Sequence, residues 1–364
     1  MTKGRRTGPP PAASRPASTG RSTSGHEPEV EVADVDGPSQ FRGVTVDRMF
    51  SFLRVYEAKG IASAAPRDPV RQSQLSRQVR ELETTLDAEL FGRRGRGIEA
   101  TPAGVAFAAT IRDFFNGLAR VRTAQRVPIQ LSAGGSVLRW LVLPLLPMPV
   151  RPGGEPFPPI MVEPGDSGSI HLGLEDGSLD LGILRATEVK KPLAGTAIGE
   201  VEYAWFCARS LVPEAPEATP SALGAAAPLV DIYGEPDLDA LFSELGTPVI
   251  SCESFRESAE LIRAGRCAGV LPVFAARELP ASEFHIVRPK AFAKYASRLM
   301  LAHRPREETT DPELSRLRGY LRDALKNALD QAQGAGRVAS QASAEEKRSA
   351  GPTSKPRGPS RKGR

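Results

Sequence analysis

Between Asp68 and Leu86 the chain carries a helical pattern with two opposite chemistries, and this segment constrains the fold more than any other. Asp68 followed by Pro69 is an N-cap and first-turn pair. Leu75, Val79, Leu82 and Leu86 fall within about 60° of one another on a wheel of about 100° per residue, so they form one buried stripe. Ser73, Arg77, Arg80 and Thr84 lie diametrically opposite, Gln74 and Ser76 flank them, and Arg71 and Gln72 occupy the first turn. The stripe needs partners, and the preceding residues supply them. Val46, Met49, Phe50, Leu53 and Tyr56 recur at three- and four-residue spacing, predicting an amphipathic helix that Gly60 stops. A short Ala-rich helix over 61–65 then ends where Pro66 and Pro69 punctuate the chain.

A helix that turns Gln, Ser and Arg outward after a short helix and a tight turn has the chemistry for reading base edges. Arg grips guanine through two hydrogen bonds, Gln grips adenine, and Ser contacts bases or phosphates. On the helix alone, an ordinary solvated face is an equal reading. The following residues shift that balance. Leu90 to Ala100 has apolar ends around a Gly/Arg tip, as a small hairpin would, and places Arg93, Arg94 and Arg96 beside the helix, where they suit phosphate or minor-groove contact. Thr101-Pro102 opens a long helix with Phe107, Ile111, Phe114, Leu118 and Val121 at spacings of 4, 3, 4 and 3. That stripe is nearly a coiled-coil seam and predicts packing against a second copy, as a homodimer or homotetramer.

The order of these features carries a resemblance. A helix, an Ala-Ala helix, Gln72-Ser73-x-x-Ser76-Arg77-Gln78-x-x-x-Leu82-Glu83, Leu90-Phe91-x-Arg93 and Thr101-Pro102-Ala103-Gly104 together resemble the winged helix-turn-helix of LysR-type transcriptional regulators across 46–104. Two departures occur in the turn region: Gly60 stands where the family commonly has Ser, and Pro66-Arg67-Asp68-Pro69 replaces a Leu-containing stretch. The resemblance implies a sequence-specific regulator that binds double-stranded DNA, responds to a small effector and works beside RNA polymerase, with no enzymatic activity and no cofactor.

Beyond Pro128 the pattern changes to short apolar strands alternating with helices. Ile129-Gln130-Leu131 leads through a Gly-rich turn into the apolar run 137–146, an arrangement whose helix N-terminus can hold an anion. Further strands are predicted at 160–162, 179–184, 203–207, 229–233 and 249–250, with a helix over 254–264 before Gly269-Val270-Leu271-Pro272. The alternation predicts an α/β unit with a mostly parallel sheet. It is also similar, over about 127–305, to the family's effector-binding half, a periplasmic-binding-protein-like pair of subdomains crossed twice by the chain. The Pro/Gly-rich segment 147–159 predicts a shortened helix there. Carried over, the resemblance places an effector cleft at Ser136, at 231–234 with Asp231 and Tyr233, and at Leu271-Pro272, with Arg139 neutralising a small anionic effector. The alternative is an effector domain that has lost its ligand and acts through oligomerisation or a protein partner. A last amphipathic helix over 311–333 carries Leu314, Leu317, Leu321, Leu325 and Leu329 on one side.

The expected organisation is therefore α/β overall: a tail at 1–42, the winged helix-turn-helix at 43–101, a linker helix at 102–126, an effector domain at 127–306, the last helix at 307–333 and a basic tail at 334–364. Both tails are poor in large apolar side chains and are predicted to be disordered. The last 31 residues carry a net +6 and the first 42 a net +1, so the 43–333 body is −2, and the pI near 9.2 belongs to the tails. The basic start leads into Pro and Ser rather than an apolar stretch, and the longest apolar run, 140–150, contains three prolines and is too short to span a bilayer, which predicts a cytoplasmic protein. Cys207, Cys252 and Cys267, like the four histidines, are too scattered for a metal cluster or a disulfide frame. Gly165-Asp166-Ser167-Gly168 copies the tetrapeptide around a serine-protease nucleophile, but the only upstream His is His26 in the tail. A hydrolase using Ser167 is thus the remote alternative, and a turn with a helix cap is the plainer reading.

Overall fold

A computed structural model of the chain describes residues 41–94, 97–122, 127–146, 157–233, 235–305 and 312–349. Three helices, α1 (Val46–Glu57), α2 (Ile61–Ala64) and α3 (Pro69–Leu86), are followed by the antiparallel hairpin β1 (Phe91–Arg94) and β2 (Gly97–Ala100) and the long helix α4 (Pro102–Arg122). The Asp68 carboxylate accepts the Arg71 backbone N–H at 2.9 Å, capping α3. Leu75, Val79 and Leu82 are buried with Phe52, Val55 and Ala64 of the first two helices and with Ala65 just after them. The turn before α3 is fixed by side chains: Arg54 Nε donates to the Ala64 carbonyl at 2.9 Å and Gln72 Nε2 to the Ala65 carbonyl at 2.8 Å. Arg67 in that turn has φ 61°, the left-handed region. Glu83 Oε1 accepts the backbone N–H groups of Leu90 and Phe91 at 2.9 and 3.1 Å, tying the far end of α3 to the hairpin. Gly104 allows α4 to approach it closely, since a Cβ there would stand 2.1 Å from the Leu90 carbonyl oxygen.

The apolar stripe of α4 divides. Ile111 is 1% exposed and, with the half-buried Phe107, packs in the cluster of Phe52, Leu82 and Leu90. Phe114 and Leu118, at 44% and 47%, remain uncovered; the Val121 side chain lies outside the described residues. The expectation of one continuous intermolecular seam is therefore corrected: its first half is intradomain core.

After α4 come two five-stranded sheets. The first has strand order β4-β3-β5-β12-β6, built from β3 (Ile129–Ala133), β4 (Ile160–Pro164), β5 (Leu181–Arg185), β6 (Ala194–Val201) and β12 (Ser297–His303). The second, β11-β7-β10-β8-β9, contains β7 (Tyr203–Ala208), β8 (Leu229–Ile232), β9 (Ile250–Cys252), β10 (Ala268–Pro272) and β11 (Phe284–Val287). The chain crosses between them twice, at Glu202 and through the 3₁₀ segment Lys290–Tyr295. Each sheet is mixed rather than mostly parallel. β3, β4 and β5 run parallel, as do β8, β9 and β10, but β12, β7 and β11 join antiparallel. The two crossovers explain this, because each delivers a strand to its sheet from the opposite end.

Helices α5 (Gly135–Val137), α6 (Ser167–Asp176), α7 (Pro220–Ala226), α8 (Pro236–Leu245) and α9 (Phe255–Arg263) cover the sheets. The run after Gly134 is not one uniform helix: α5 passes into a π-helical turn at Leu138–Val142 and a 3₁₀ turn at Leu143–Leu145, where Pro144 enters. The last helix, α10 (Pro312–Ser349), buries Leu314, Leu317, Leu321, Leu325 and Leu329 in the same core as both sheets. It runs past 333, correcting the expectation of a tail without structure from 334. Residues 335–349 are rich in Ala, Gln, Glu, Lys and Arg, all favourable in helices, and the next proline is Pro352.

Candidate functional site

Two surfaces carry chemistry. On the first, α3 presents Arg71, Ser73, Gln74, Arg77 and Arg80 exposed, with Arg93 exposed on the neighbouring hairpin and Ser76 half-buried. The Arg77 side chain is 73% exposed; its nearest carboxylate, Glu81, stands 3.9 Å away and is already engaged by Arg48 at 2.5 Å. Gln72 departs from the expected reading role, because its amide is committed to the Ala65 carbonyl and holds the turn. The Arg94 side chain and all of Arg96 lie outside the described residues. The surface thus gathers guanidinium, amide and hydroxyl donors on one helix face, the donor set that reads base edges and phosphates.

The second surface is a cavity of about 590 Å³ between the two sheets. It is built from residues that follow strand C-terminal ends: Ser136 after β3, Asp166 and Ser167 after β4, Arg185 and Glu188 at and after β5, Glu235 and Asp237 after β8 and Pro272 at the end of β10. Open α/β sheets place ligand sites at such ends. Asp166 caps α6, accepting the Ser169 backbone N–H at 2.8 Å, and that bond holds its carboxyl below the usual carboxylate range. The Ser167 hydroxyl donates to Glu188 at 2.7 Å, and the other Glu188 oxygen accepts the Arg185 backbone N–H at 3.0 Å. The Arg185 guanidinium bridges to the opposite sheet, bonding Asp237 at 3.0 Å and Glu235 still more closely. Burial opposes its charge, but the bond and charge of Glu235 outweigh that and raise its pKa above the ordinary arginine value.

Of the effector residues expected from the sequence, Ser136 lines this cavity. Arg139 does not: its Nε and Nη2 grip the Glu278 carboxylate at 2.8 and 3.0 Å, because the helical turn carries it to the side of the 3₁₀ segment Val273–Arg277. Leu271 is fully buried in the central strand β10, and only its neighbour Pro272 reaches the cavity. Asp231 is half-buried within β8, and Tyr233 is exposed on an outer groove with Ser254 and Glu257. The polar groups of that loop which do face the cavity, Glu235 and Asp237, come a few residues later. Arg185, Glu188, Glu235 and Asp237 were not anticipated; the signal available was polar residues immediately after predicted strands.

Helix α6 joins the cavity to the N-terminal half. Its first turn lines the cavity, while Asp176 at its end accepts Arg112 of α4 at 2.8 Å. Arg112 also reaches Glu57 of α1 at 3.4 Å, and Arg304 pairs with Asp113 at 2.8 Å.

Comparison with known proteins matches both halves. Residues 46–105 match the family described as bacterial regulatory helix-turn-helix protein, lysR family, and residues 156–326 match the LysR substrate binding domain. The regulator TfdT of Cupriavidus pinatubonensis is 45% identical over 56 residues, 15% of this chain and 25% of TfdT. The chain spans between about a fifth and a half of the length of the curated relatives it matches. The fold is similar to ArgP of Mycobacterium tuberculosis, with TM-score 0.53 at 16% identity over 79% of this chain and 97% of ArgP. It is likewise similar to LysG of Corynebacterium glutamicum, solved with its effector Arg bound, with TM-score 0.52 at 17% identity over 79% of this chain and 99% of LysG. With both parts matched in the order that the structure builds them, the chain belongs to the LysR family of bacterial helix-turn-helix regulatory proteins.

Proposed function

We propose that this protein regulates transcription by binding operator DNA through α3 and the β1–β2 wing, as a homodimer or homotetramer, under control of a small molecule held in the cavity between its two sheets. The observation that carries the reading is the division of α3: Leu75, Val79 and Leu82 are buried while Ser73, Gln74, Arg77 and Arg80 on the other side are left to solvent. Oligomerisation is supported by the uncovered Phe114 and Leu118, which continue toward Phe50, itself 55% exposed and stacked on Phe115 at 4.5 Å between ring centroids. Ser167 in this reading is a lining hydroxyl held by Glu188, not a nucleophile. The protein would act in the cytoplasm, beside RNA polymerase on DNA.

Sequencing DNA fragments co-purified with the full chain tests the central claim. Enrichment of a pseudo-palindromic site, as two-fold binding requires, supports it. Recovery of fragments with no shared sequence would remove operator recognition from the reading.

A further inference from the structure

We propose that the effector of this cavity is a small organic cation bearing a guanidinium or ammonium group, seated against Glu235, Asp237 and Glu188. The inference rests on the reading of the cavity as the effector site and replaces the anionic ligand expected from sequence.

The charge balance of the walls carries the argument. Four carboxylates line the cavity, Asp166, Glu188, Glu235 and Asp237, against one guanidinium, Arg185. An anion would need a donor that is not already taken. Arg185 is committed to two carboxylates across the cavity. The N-terminus of α6, where a helix favours negative charge, is filled by Asp166 as its own cap and by Glu188 on the Ser167 hydroxyl. An incoming carboxylate therefore meets like charge at Arg185, at the N-terminus of α6 and at the N-terminus of α8, which carries Glu235 and Asp237; the turn at Gly134 and Ser136 is the one remaining place on the lining for it. A cation meets the reverse. Glu235 and Asp237 sit at the end of α8 that faces the cavity, Asp237 is 61% exposed, and each carboxylate has further lone pairs beyond those that Arg185 uses. In a cleft with low-dielectric walls a net negative lining concentrates cations. Arg185 itself shows the fit, since a guanidinium from one sheet already occupies carboxylates of the other. A ligand guanidinium or ammonium takes part of that place and changes the link between the two sheets, and with it the position of α6, whose other end is held by Arg112.

The test is calorimetric titration of the full chain with agmatine, L-arginine and putrescine as cationic probes and glutarate and succinate as anions of similar length. At least one cationic probe should bind, and no anion should. Asp237→Asn should weaken that binding by about tenfold or more, the loss expected for a hydrogen bond to a charged group. Arg185→Gln gives opposite signs for the two classes: it removes the internal competitor, so a cation binds more tightly, whereas an anion would lose its only guanidinium. Glu188→Gln, which leaves the cross-cavity pair intact, should weaken cations alone and serves if Arg185→Gln does not fold. Gly134→Trp is the blocking control. Gly134 lines the cavity, has φ −55° and ψ 143°, and a Cβ there meets nothing within 4 Å, so a bulky side chain can be placed at the cavity wall without backbone strain.

Cation binding that is lost in Gly134→Trp and strengthened in Arg185→Gln supports the proposal. Failure of all three cationic probes, or glutarate or succinate binding that Gly134→Trp abolishes, overturns the cationic class; the second result keeps the cavity as the effector site. Probe binding unchanged in Gly134→Trp would instead overturn the reading of the cavity itself.

Discussion

The arginines on the outer face of α3 and the wing differ from Arg139 and Arg185 in what surrounds them, and the difference separates groups held for the fold from groups held ready for a ligand. In the effector half, Arg139 is gripped by Glu278 and Arg185 by Glu235 and Asp237. On α3 and the wing, Arg71, Arg80 and Arg93 have no ion-pair partner among the described residues, and Arg77 has one carboxylate at 3.9 Å that another arginine already holds. A guanidinium left unpaired on a helix face is free to replace counterions at phosphate or to meet guanine. One closed into a carboxylate fork is a structural strut. Net charge cannot make this distinction, because both kinds of arginine count alike.

The apolar residues show the same division, and there the largest effect is expected. Phe114→Glu with Leu118→Glu alters only the uncovered half of the α4 stripe, so the protein should stay folded but sediment as a monomer. Operator affinity should then fall by about 10²-fold or more, since two linked half-sites gain that from effective concentration. Ile111→Ala, one turn earlier, should instead cost about 2–5 kcal/mol of stability, as for other buried large-to-small changes. Analytical ultracentrifugation with denaturant melts of both variants checks the contrast. An unchanged oligomer in the double Glu variant would place the interface elsewhere.

Arg77→Ala comes next. If the side chain reads a base edge, operator affinity should fall by about 1–3 kcal/mol and preference should relax at one position per half-site. Contact with phosphate alone would weaken operator and scrambled DNA equally and lower the salt slope. In either case stability should move by less than about 0.5 kcal/mol, the usual result for an exposed site. Fluorescence anisotropy on both DNAs at two salt concentrations separates the outcomes, and no change in any titration would remove α3 from DNA contact.

The DNA-binding half was legible in the sequence because its information is local. The stripe of α3, its Asp68 cap, the Gly/Arg hairpin and Thr101-Pro102 each declare themselves within a few residues, and the structure builds all four. The effector half was legible only as alternation. Strand β6 reads Ala-Gly-Thr-Ala-Ile-Gly-Glu-Val, too weak an alternation to announce itself, and β11 and β12 were likewise not anticipated. The cavity escaped for a different reason. Arg185 meets Glu235 and Asp237 across about 50 residues of chain, and nothing in either segment alone specifies the other. Arg139 misled because a cation after a Gly-rich turn looks available until Glu278, 139 residues later, is seen to hold it.

A strut should respond to pH, and a free cation should not. Hydrogen bonding by Arg139 holds the Glu278 carboxyl below its ordinary value. A lowered folded-state pKa stabilises the fold above the unfolded value of about 4.3 and loses that contribution as pH falls through the folded value. Arg139→Ala should therefore cost about 1 kcal/mol near pH 6, the discounted value for a pair roughly one-third exposed. The difference from the native protein should shrink as pH falls from about 5 to 3. Urea melts across that range measure it. A gap that stays constant down to pH 3 would show that the pair does not govern the titration of Glu278.

The smallest expected effect belongs to Arg67, which combines both roles. It is exposed in the turn before α3 at φ 61°, a conformation that suits glycine better than a branched or long side chain. Left-handed geometry costs an L-residue about 1–2 kcal/mol, while glycine gives back about 0.4–1 kcal/mol through the greater freedom of the unfolded chain. Arg67→Gly should thus stabilise the isolated protein by between about 0 and 1.6 kcal/mol. Its effect on DNA depends on which kind of arginine it is. As one of the free cations bordering α3, its loss should reduce the salt slope of binding by about one counterion and weaken all sequences alike. A more stable protein with an unchanged salt slope would place Arg67 outside the phosphate contacts, and the free surface would then begin at Arg71.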